Sequence, residues 1–306
     1  MKPKNALQLF LAAFIWGIAF VAQSSAAAYI KPFTFNGIRC LLGAVTLLPL
    51  LAVLRRKEKN TPDSLKLSGF SKHERMTVIA GGCACGLCLC LGSTLQQFGI
   101  ARTSVGKAGF ITALYIVFVP LVSALLFHKK IAFPIIGSVI LALIGLFTLC
   151  VKEDLSIGIG DIYVLLCSFA FTAHILTIDY FSTKVHGVLL SCLQFFVCGL
   201  ISLPFMLLLE KPAISDIFAA AVPILYAGIM SCGVAYTLQI VGQKDMNPTI
   251  CSLLLSLESV ISALAGWVLL GQKLSLRELL GCLLMFIAIV IANLSDRLTG
   301  KTKSAA

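Results

Sequence analysis

Residues 93–121 read STLQQFGIARTSVGKAGFITALYIVFVPL, and parts of this stretch return later in the chain. A shift of 143 residues superimposes Thr94-Leu95-Gln96 on Thr237-Leu238-Gln239, Gly99 on Gly242, and Lys130 on Lys273. Matches between apolar residues are weak support for a repeat, because apolar residues are common throughout this chain. The shared Thr-Leu-Gln and glycines, however, indicate an internal duplication. We expect two repeats, residues 1–151 and 161–294, joined by a linker at 152–160.

The composition excludes a water-soluble fold. Of the 306 residues, 59% are hydrophobic and 12% are charged, about half the charged share of soluble domains. Spans of about 20 apolar residues cross a bilayer, and they must be helical here because no barrel alternation is present. Ten such runs are predicted at 7–28, 33–54, 76–100, 105–127, 131–151, 161–180, 188–209, 218–241, 249–270 and 275–294.

Five spans per repeat reverse the direction of the second copy. The predicted fold class is therefore an all-α integral membrane protein with ten transmembrane helices in two inverted five-helix repeats. The run from Ala6 to Ile30 exceeds the apolar core of a signal peptide and is predicted to remain as the first span. Most Lys and Arg, above all in the 55–75 loop, fall inside if both termini are cytoplasmic. Residues 295–306 then form a basic cytoplasmic tail in a bacterial-type plasma membrane.

Three segments resemble the EamA-type members of the drug/metabolite transporter superfamily. They are Trp16-Gly17 with Phe20, the stretch 93–121, and 236–274, which reads YTLQIVGQKDMNPTICSLLLSLESVISALAGWVLLGQKL. The resemblance covers nearly the whole chain. It implies a carrier whose central cavity is lined mainly by spans 1, 3, 4, 6, 8 and 9, and which exports or exchanges small organic metabolites. The family usually has Pro after the glutamate and Glu in the final turn, where this chain has Ser259 and Gln272.

Glu258 is the sharpest candidate for substrate binding. It lies in the middle of its span, where an ionised carboxylate is expensive unless it is solvated or paired. At about 100° per residue it shares one arc of the helix with Ser256 and other serines. Its carboxylate could contact a substrate amine or carry a proton, or it could be a structural group bonded to a neighbouring helix.

Further polar and aromatic residues lie inside the predicted spans. Tyr115 occupies the position equivalent to Glu258 under the 143-residue shift, with Thr112 one turn before it. His174 could titrate, and Trp16 at mid-span favours an inward-facing aromatic wall. Each could instead serve helix packing or interhelical hydrogen bonds. The candidate cavity set is Trp16, Gln96, Thr112, Tyr115, His174, Tyr236, Gln239, Ser256 and Glu258.

Two cations are candidates for anion contacts. Arg39 lies a few residues inside the second span and Lys107 two residues inside the fourth. Long basic side chains near span ends commonly extend to the headgroups, which is the alternative reading of both. If both residues lined the cavity, an anionic substrate would be favoured.

The remaining motifs predict neither a metal nor another cofactor. Cys83, Cys85, Cys88 and Cys90 point to two opposed faces of one helix and cannot form a tetrahedral site, whereas Gly82 and Gly86 fit close helix packing. The basic residues lie in loops and are explained by topology rather than by nucleic acid. The chain has no convergent catalytic constellation, nucleotide loop or channel filter.

The predicted function is therefore secondary-active or facilitative transport by alternating access, with export as the expected direction. The partners are the lipid bilayer and a small-molecule substrate such as an amino acid, with a mild preference for a cation or zwitterion. Coupling to a proton at Glu258 or His174 is open, and the sequence does not determine the oligomeric state. An exchanger of organic anions, sugar phosphates or nucleotide sugars is the alternative, and an intramembrane enzyme is a remote one.

Overall fold

The regular elements of the protein are helices. A computed structural model describes residues 3–58, 67–103, 105–127, 132–150, 157–270 and 275–304. The α-helices are α1 (Pro3–Ala26), α2 (Pro32–Glu58), α3 (Lys72–Ile100), α4 (Val105–Thr112), α5 (Tyr115–Phe127), α6 (Phe133–Cys150), α7 (Ile159–Phe181), α8 (Gly187–Phe205), α9 (Ile214–Ala219), α10 (Ala221–Leu225), α11 (Thr237–Gln243), α12 (Pro248–Leu255), α13 (Leu257–Leu270) and α14 (Leu276–Ser304). Two π-helical segments, Met206–Glu210 and Tyr226–Tyr236, complete the described elements.

In the described part of the chain, eight helical stretches are long and apolar enough to cross a membrane, and the apolar helix Phe133–Leu149 is shorter. Large apolar side chains remain exposed on them; Leu125 is 74% exposed. Such a surface is stable against lipid and unfavourable against water. These features support the predicted all-helical, multi-pass membrane protein. The total of ten spans and their inverted arrangement stay predictions.

Two predicted spans are interrupted at their midpoints. The fourth, 105–127, breaks after Thr112 between α4 and α5, and the ninth, 249–270, breaks at Ser256 between α12 and α13. Pro120 has no amide hydrogen and cannot complete the helical bonding in the first turns of α5. In the other break, the Ser256 hydroxyl donates to the Leu253 carbonyl at 2.8 Å, so a side chain takes part in the backbone bonding there.

The predicted eighth span, 218–241, is also not one regular α-helix. It consists of α9, α10, the π-helical segment Tyr226–Tyr236 and α11. A π-helical turn widens the helix and shifts the register of the following side chains, and it often occurs at functional sites. Here the wide segment ends at Tyr236, one of the residues of the candidate site.

Small residues allow the helices to approach closely. A Cβ added at Gly82 would lie 2.7 Å from the Leu193 Cβ, and one at Gly86 would lie 2.6 Å from the Val197 Cβ. The predicted role of this glycine pair in helix packing is therefore confirmed, with α8 as the partner of α3. Helix α2 also packs against α8, α3 against α7, and α6 against α14.

Candidate functional site

A cavity of about 40 Å³ lies among helices from both halves of the chain. Its walls come from α1, α2, α3, α5, α7, the Tyr226–Tyr236 segment, α11, α12 and α13. The lining residues are Trp16, Phe20, Gln23, Arg39, Gln96, Tyr115, Phe171, His174, Ile175, Ser231, Tyr236, Gln239, Leu255 and Glu258. Seven of the nine predicted cavity residues are therefore brought together, along with one of the two predicted anion contacts.

Tyr115 and Glu258 meet in this cavity. The Tyr115 hydroxyl donates to Glu258 Oε1 at 3.1 Å, and the two residues are 143 positions apart. Both helix breaks create this contact, because Tyr115 begins α5 and Glu258 lies in the first turn of α13. The amide groups at a helix N-terminus favour a negative charge. The broken span therefore places the Glu258 carboxyl group at the N-terminus of α13.

The Glu258 carboxylate is 6% exposed. Among the described side chains, it interacts with the Tyr115 hydroxyl and with no cation. A carboxylate at this depth gains from a positive group supplied by a ligand. The geometry therefore leaves room for a cationic partner at this position.

Arg39 supplies a charge of the opposite sign to the same cavity. It is 3% exposed, so its side chain does not reach the membrane surface as the alternative interpretation required. Its Nε donates to Asn36 Oδ1 at 2.9 Å, and Asn36 Nδ2 donates to Thr94 Oγ1 at 2.8 Å. Its guanidinium also lies 4.8 Å from the centre of the Phe35 ring. No carboxylate among the described residues pairs with it.

Aromatic rings form one wall of the cavity. The Trp16 and Tyr236 rings have centroids 4.5 Å apart, and Tyr236 also makes edge contacts with Phe195 and His174. Trp16 Nε1 is buried and has no hydrogen-bond partner among the described residues. A buried indole N–H usually finds a partner, so this donor is available to a bound ligand.

His174 is held by a residue that the sequence did not single out. Its Nε2 lies 2.9 Å from Gln194 Oε1. If the Gln194 oxygen accepts, the Nε2 of a neutral His174 carries the hydrogen and its other ring nitrogen is an acceptor. Gln194 is an isolated amide inside an apolar span, and that polarity is the signal that could have identified it.

Glutamine side chains add further polar groups. Gln96 Nε2 lies 3.4 Å from Thr112 Oγ1, so Thr112 reaches the cavity only through Gln96. The side-chain oxygens of Gln23 and Gln239 are buried and accept no hydrogen bond from the residues that the structure describes. Gln23 was missed, although an amide in the first span is as unusual as Gln194 in the seventh.

The other predicted residues lie apart from the lining. Ser256 is fully buried and bonds to the backbone of its own helix, so its role is to shape the break in the span. Thr112 lies behind Gln96. The side chain of Lys107 lies outside the described residues. The apolar lining residues Phe171, Ile175 and Leu255 gave no signal, because apolar side chains are common throughout the spans.

Comparison with known proteins identifies the family to which this architecture belongs. A model of the EamA-like transporter family matches residues 4–151 and again residues 158–294. The chain belongs to the EamA-like transporter family. This EamA-like protein is therefore a multi-pass membrane transporter, and the family assignment points to transport rather than catalysis.

Relatives and a solved structure agree with this assignment. A protein of Archaeoglobus fulgidus named "Uncharacterized transporter" is 28% identical over 289 residues, which is 94% of this chain and 85% of that protein. The "Uncharacterized transporter YoaV" of Bacillus subtilis is 22% identical over 94% of this chain and 95% of its own length. A crystal structure matches with a TM-score of 0.77 at 16% identity, covering 98% of this chain and 99% of the other. At that identity the structural likeness concerns the fold alone.

Proposed function

We propose that this EamA-like protein is a carrier of small zwitterionic organic metabolites, amino acids or related compounds, which it exports by alternating access. The observation that carries the proposal is the presence of Glu258 and Arg39 in one buried cavity. Neither charge has a described protein partner of opposite sign. Buried charges are strongly destabilising unless they are paired, so a ligand that brings both an ammonium and a carboxylate suits both groups.

The remaining lining groups fit such a ligand. The buried Trp16 N–H can donate to a carboxylate, and the oxygens of Gln23 and Gln239 can accept from an ammonium. The rings of Trp16, Phe20 and Phe171 offer apolar surface for a side chain. Affinity for an amino acid would come from these polar contacts, and preference among amino acids from the aromatic surface.

The proposed mechanism uses the two halves of the chain, 1–151 and 161–294, as inverted five-helix repeats. Discontinuous helices near the midplane are a common way for transporters to build a substrate site at the repeat interface. The breaks before Tyr115 and at Ser256 are of this kind. Rocking of one repeat against the other would then open the cavity to alternate sides. The distribution of basic residues favours cytoplasmic termini, including the tail 295–306, in a bacterial-type plasma membrane.

The second candidate is an exchanger of organic anions, such as sugar phosphates or nucleotide sugars. Arg39 favours it, because a buried guanidinium is a strong binder of phosphate and carboxylate groups. In that case Glu258 would be a structural carboxyl group that is held by Tyr115. The two candidates differ in whether the ligand needs a positive group.

Ligand-dependent thermal stabilisation separates the candidates. A ligand that binds the folded state raises the melting temperature by mass action. Purified protein is heated with amino acids, with amines that lack the carboxylate, with acids that lack the amine, and with sugar phosphates. Stabilisation by amino acids alone supports the zwitterion. Stabilisation by sugar phosphates that persists in Glu258→Ala and disappears in Arg39→Gln favours the anion exchanger.

Proton coupling at Glu258 is tested by flux in proteoliposomes. Glu258→Gln keeps the shape of the side chain and removes its titration. Loss of the pH dependence of transport, with some transport remaining, supports Glu258 as the proton site. Survival of both transport and its pH dependence in Glu258→Gln excludes that role and leaves exchange or facilitated diffusion.

A further inference from the structure

Four buried thiols from four different segments meet beside the cavity. They are Cys40 of α2, Cys90 of α3, Cys198 of α8 and Cys232 of the π-helical segment. The sulfur atoms of Cys40 and Cys198 are 3.4 Å apart. Cys40 also contacts Cys232, and Cys198 contacts Cys90. The thiols therefore form a chain that joins helices of the first half to helices of the second.

This chain of thiols has no part in the proposed binding of substrate, because none of the four residues lines the cavity. A metal site does not account for it either. Within the described ranges, no three His, Cys, Asp or Glu side chains are arranged to hold a metal ion. Cys40 and Cys198 instead form a close pair of thiols, with their sulfur atoms at hydrogen-bonding distance.

The chain of thiols lies next to residues that line the cavity. Arg39 and Ser231 line the cavity, and each immediately precedes a cysteine of the chain, Cys40 and Cys232. The Arg39 guanidinium also interacts with the Cys40 thiol. Reactive cysteines are characteristically found next to a positive group, which favours the thiolate. Cys40 therefore differs from the lipid-facing Cys83, which is exposed and has no such neighbour in the described structure.

We propose that Cys40 and Cys198 are a site of oxidative modification, at which a small uncharged hydroperoxide converts the two thiols into a disulfide that links α2 to α8. An uncharged oxidant is required because both thiols are buried, and a charged oxidant would lose its hydration there. The sulfur atoms would have to approach from 3.4 Å to about 2.0 Å.

The reaction balances with the hydroperoxide as the only oxidant. The Cys40 thiolate attacks the terminal oxygen, the O–O bond breaks, and the alcohol leaves after it takes up the thiol proton. The sulfenic acid on Cys40 is then attacked by the Cys198 sulfur, the S–S bond forms, and the hydroxyl leaves as water with the second proton. Two thiols are oxidised, and one hydroperoxide is reduced to alcohol and water.

The link would restrain a tightly packed interface. A Cβ added at Gly199 would lie 2.7 Å from Leu41 Cδ2, so the backbones of α2 and α8 already approach closely next to the pair. Arg39 lies beside Cys40 on the same helix. A disulfide at this position would therefore limit the movement of α2 against α8 and fix the backbone that carries Arg39.

The test is a peptide map of the intact protein after oxidation. Protein in nanodiscs is treated with tert-butyl hydroperoxide, denatured in N-ethylmaleimide and digested for mass spectrometry. We expect one Cys40 peptide joined to the Cys198 peptide with the loss of two hydrogens, and separation of the two by dithiothreitol. Cys198→Ser should abolish the joined species. Cys192→Ser should keep it, since Cys192 lies on the same helix and bonds to the Ala44 carbonyl.

The wild-type map decides the matter even if a variant fails to fold. The proposal is overturned if treated wild-type protein keeps both thiols alkylated, if Cys40 stops at a sulfenic acid, or if the link forms through Cys90 or Cys232 instead. It is also overturned if the link appears only after denaturation. None of these outcomes bears on the transport function, because the measurement needs no substrate.

Discussion

The two interrupted spans of this protein break at matching places and carry different chemistry there. The α4–α5 span breaks before Tyr115, and the α12–α13 span breaks just before Glu258, 143 positions later. In the first, Pro120 disturbs the backbone bonding; in the second, the Ser256 hydroxyl takes part in it. The comparison teaches that two positions 143 residues apart meet in one cavity with complementary groups, a hydroxyl donor at Tyr115 and an acid at Glu258.

Removal of the acid should have the largest effect. Glu258→Gln takes away the buried carboxylate that we place opposite a substrate ammonium, and a hydrogen bond to a charged group contributes about 2 kcal/mol. We expect about 30-fold weaker binding of a zwitterionic ligand, measured by titration calorimetry. Asp216→Asn, at an exposed acid of α9, is the control and should bind normally. Unchanged affinity in Glu258→Gln would make the carboxyl structural.

Substitution of the cation should act selectively. Arg39→Gln is expected to weaken binding of an amino acid about 20-fold, roughly 1.8 kcal/mol for a lost charged hydrogen bond. It should leave binding of the corresponding amine, which lacks the carboxylate, within about twofold. Arg56→Gln at the far end of α2 provides the control. Equal losses for both ligands would show that Arg39 supports the fold of the cavity rather than the carboxylate.

Tyr115 should contribute less to ligand binding than Glu258, the acid that it contacts. Tyr115→Phe keeps the ring and removes the donor of the 3.1 Å bond to Glu258. We expect about fivefold weaker binding, since a single hydrogen bond contributes about 1 kcal/mol. In the double variant with Glu258→Gln, the Tyr115→Phe step should have little further effect. Additive losses in this cycle would mean that the two residues act independently.

The glycines matched by the same shift allow a comparison of packing. A Cβ at Gly99 would overlap Val164 Cγ2, whereas one at Gly242 would lie 3.1 Å from Leu9 Cγ. Overpacking a tight interface destabilises by about 1–3 kcal/mol. We expect Gly99→Ala to lower the melting temperature in detergent more than Gly242→Ala, because it should cost about 1 kcal/mol more in the free energy of unfolding. Equal decreases in melting temperature would indicate that α7, which carries Val164, adjusts to the added methyl group as readily as α1, which carries Leu9.

Several features could be predicted from residue types alone. The apolar runs predicted helices that can cross a membrane, because a chain of this hydropathy has no other way to bury its backbone polar groups. The isolated polar residues Glu258, His174 and Gln239 were singled out because lipid does not solvate them. Those signals are local, and the cavity contains all three residues.

The breaks in the spans were not predicted. Hydropathy averages over a window of residues, and it stays high across Thr112–Tyr115 and across Ser256. Whether a helix continues depends on which backbone carbonyls find other donors, and that depends on the packing around each turn. The same limitation applies to the π-helical segment that ends at Tyr236.

The sequence by itself determined that this protein is helical, that it belongs in a membrane, and that a few polar residues inside it need partners. Only the tertiary structure decided which partners they have. Arg39 lines the cavity and donates to Asn36, and His174 is hydrogen-bonded to Gln194. Ser256 donates to the backbone of its own span instead of lining the cavity. The physical reason is that hydropathy is a property of each residue, whereas a hydrogen bond or a cavity depends on the rotation and spacing of helices distant in the chain.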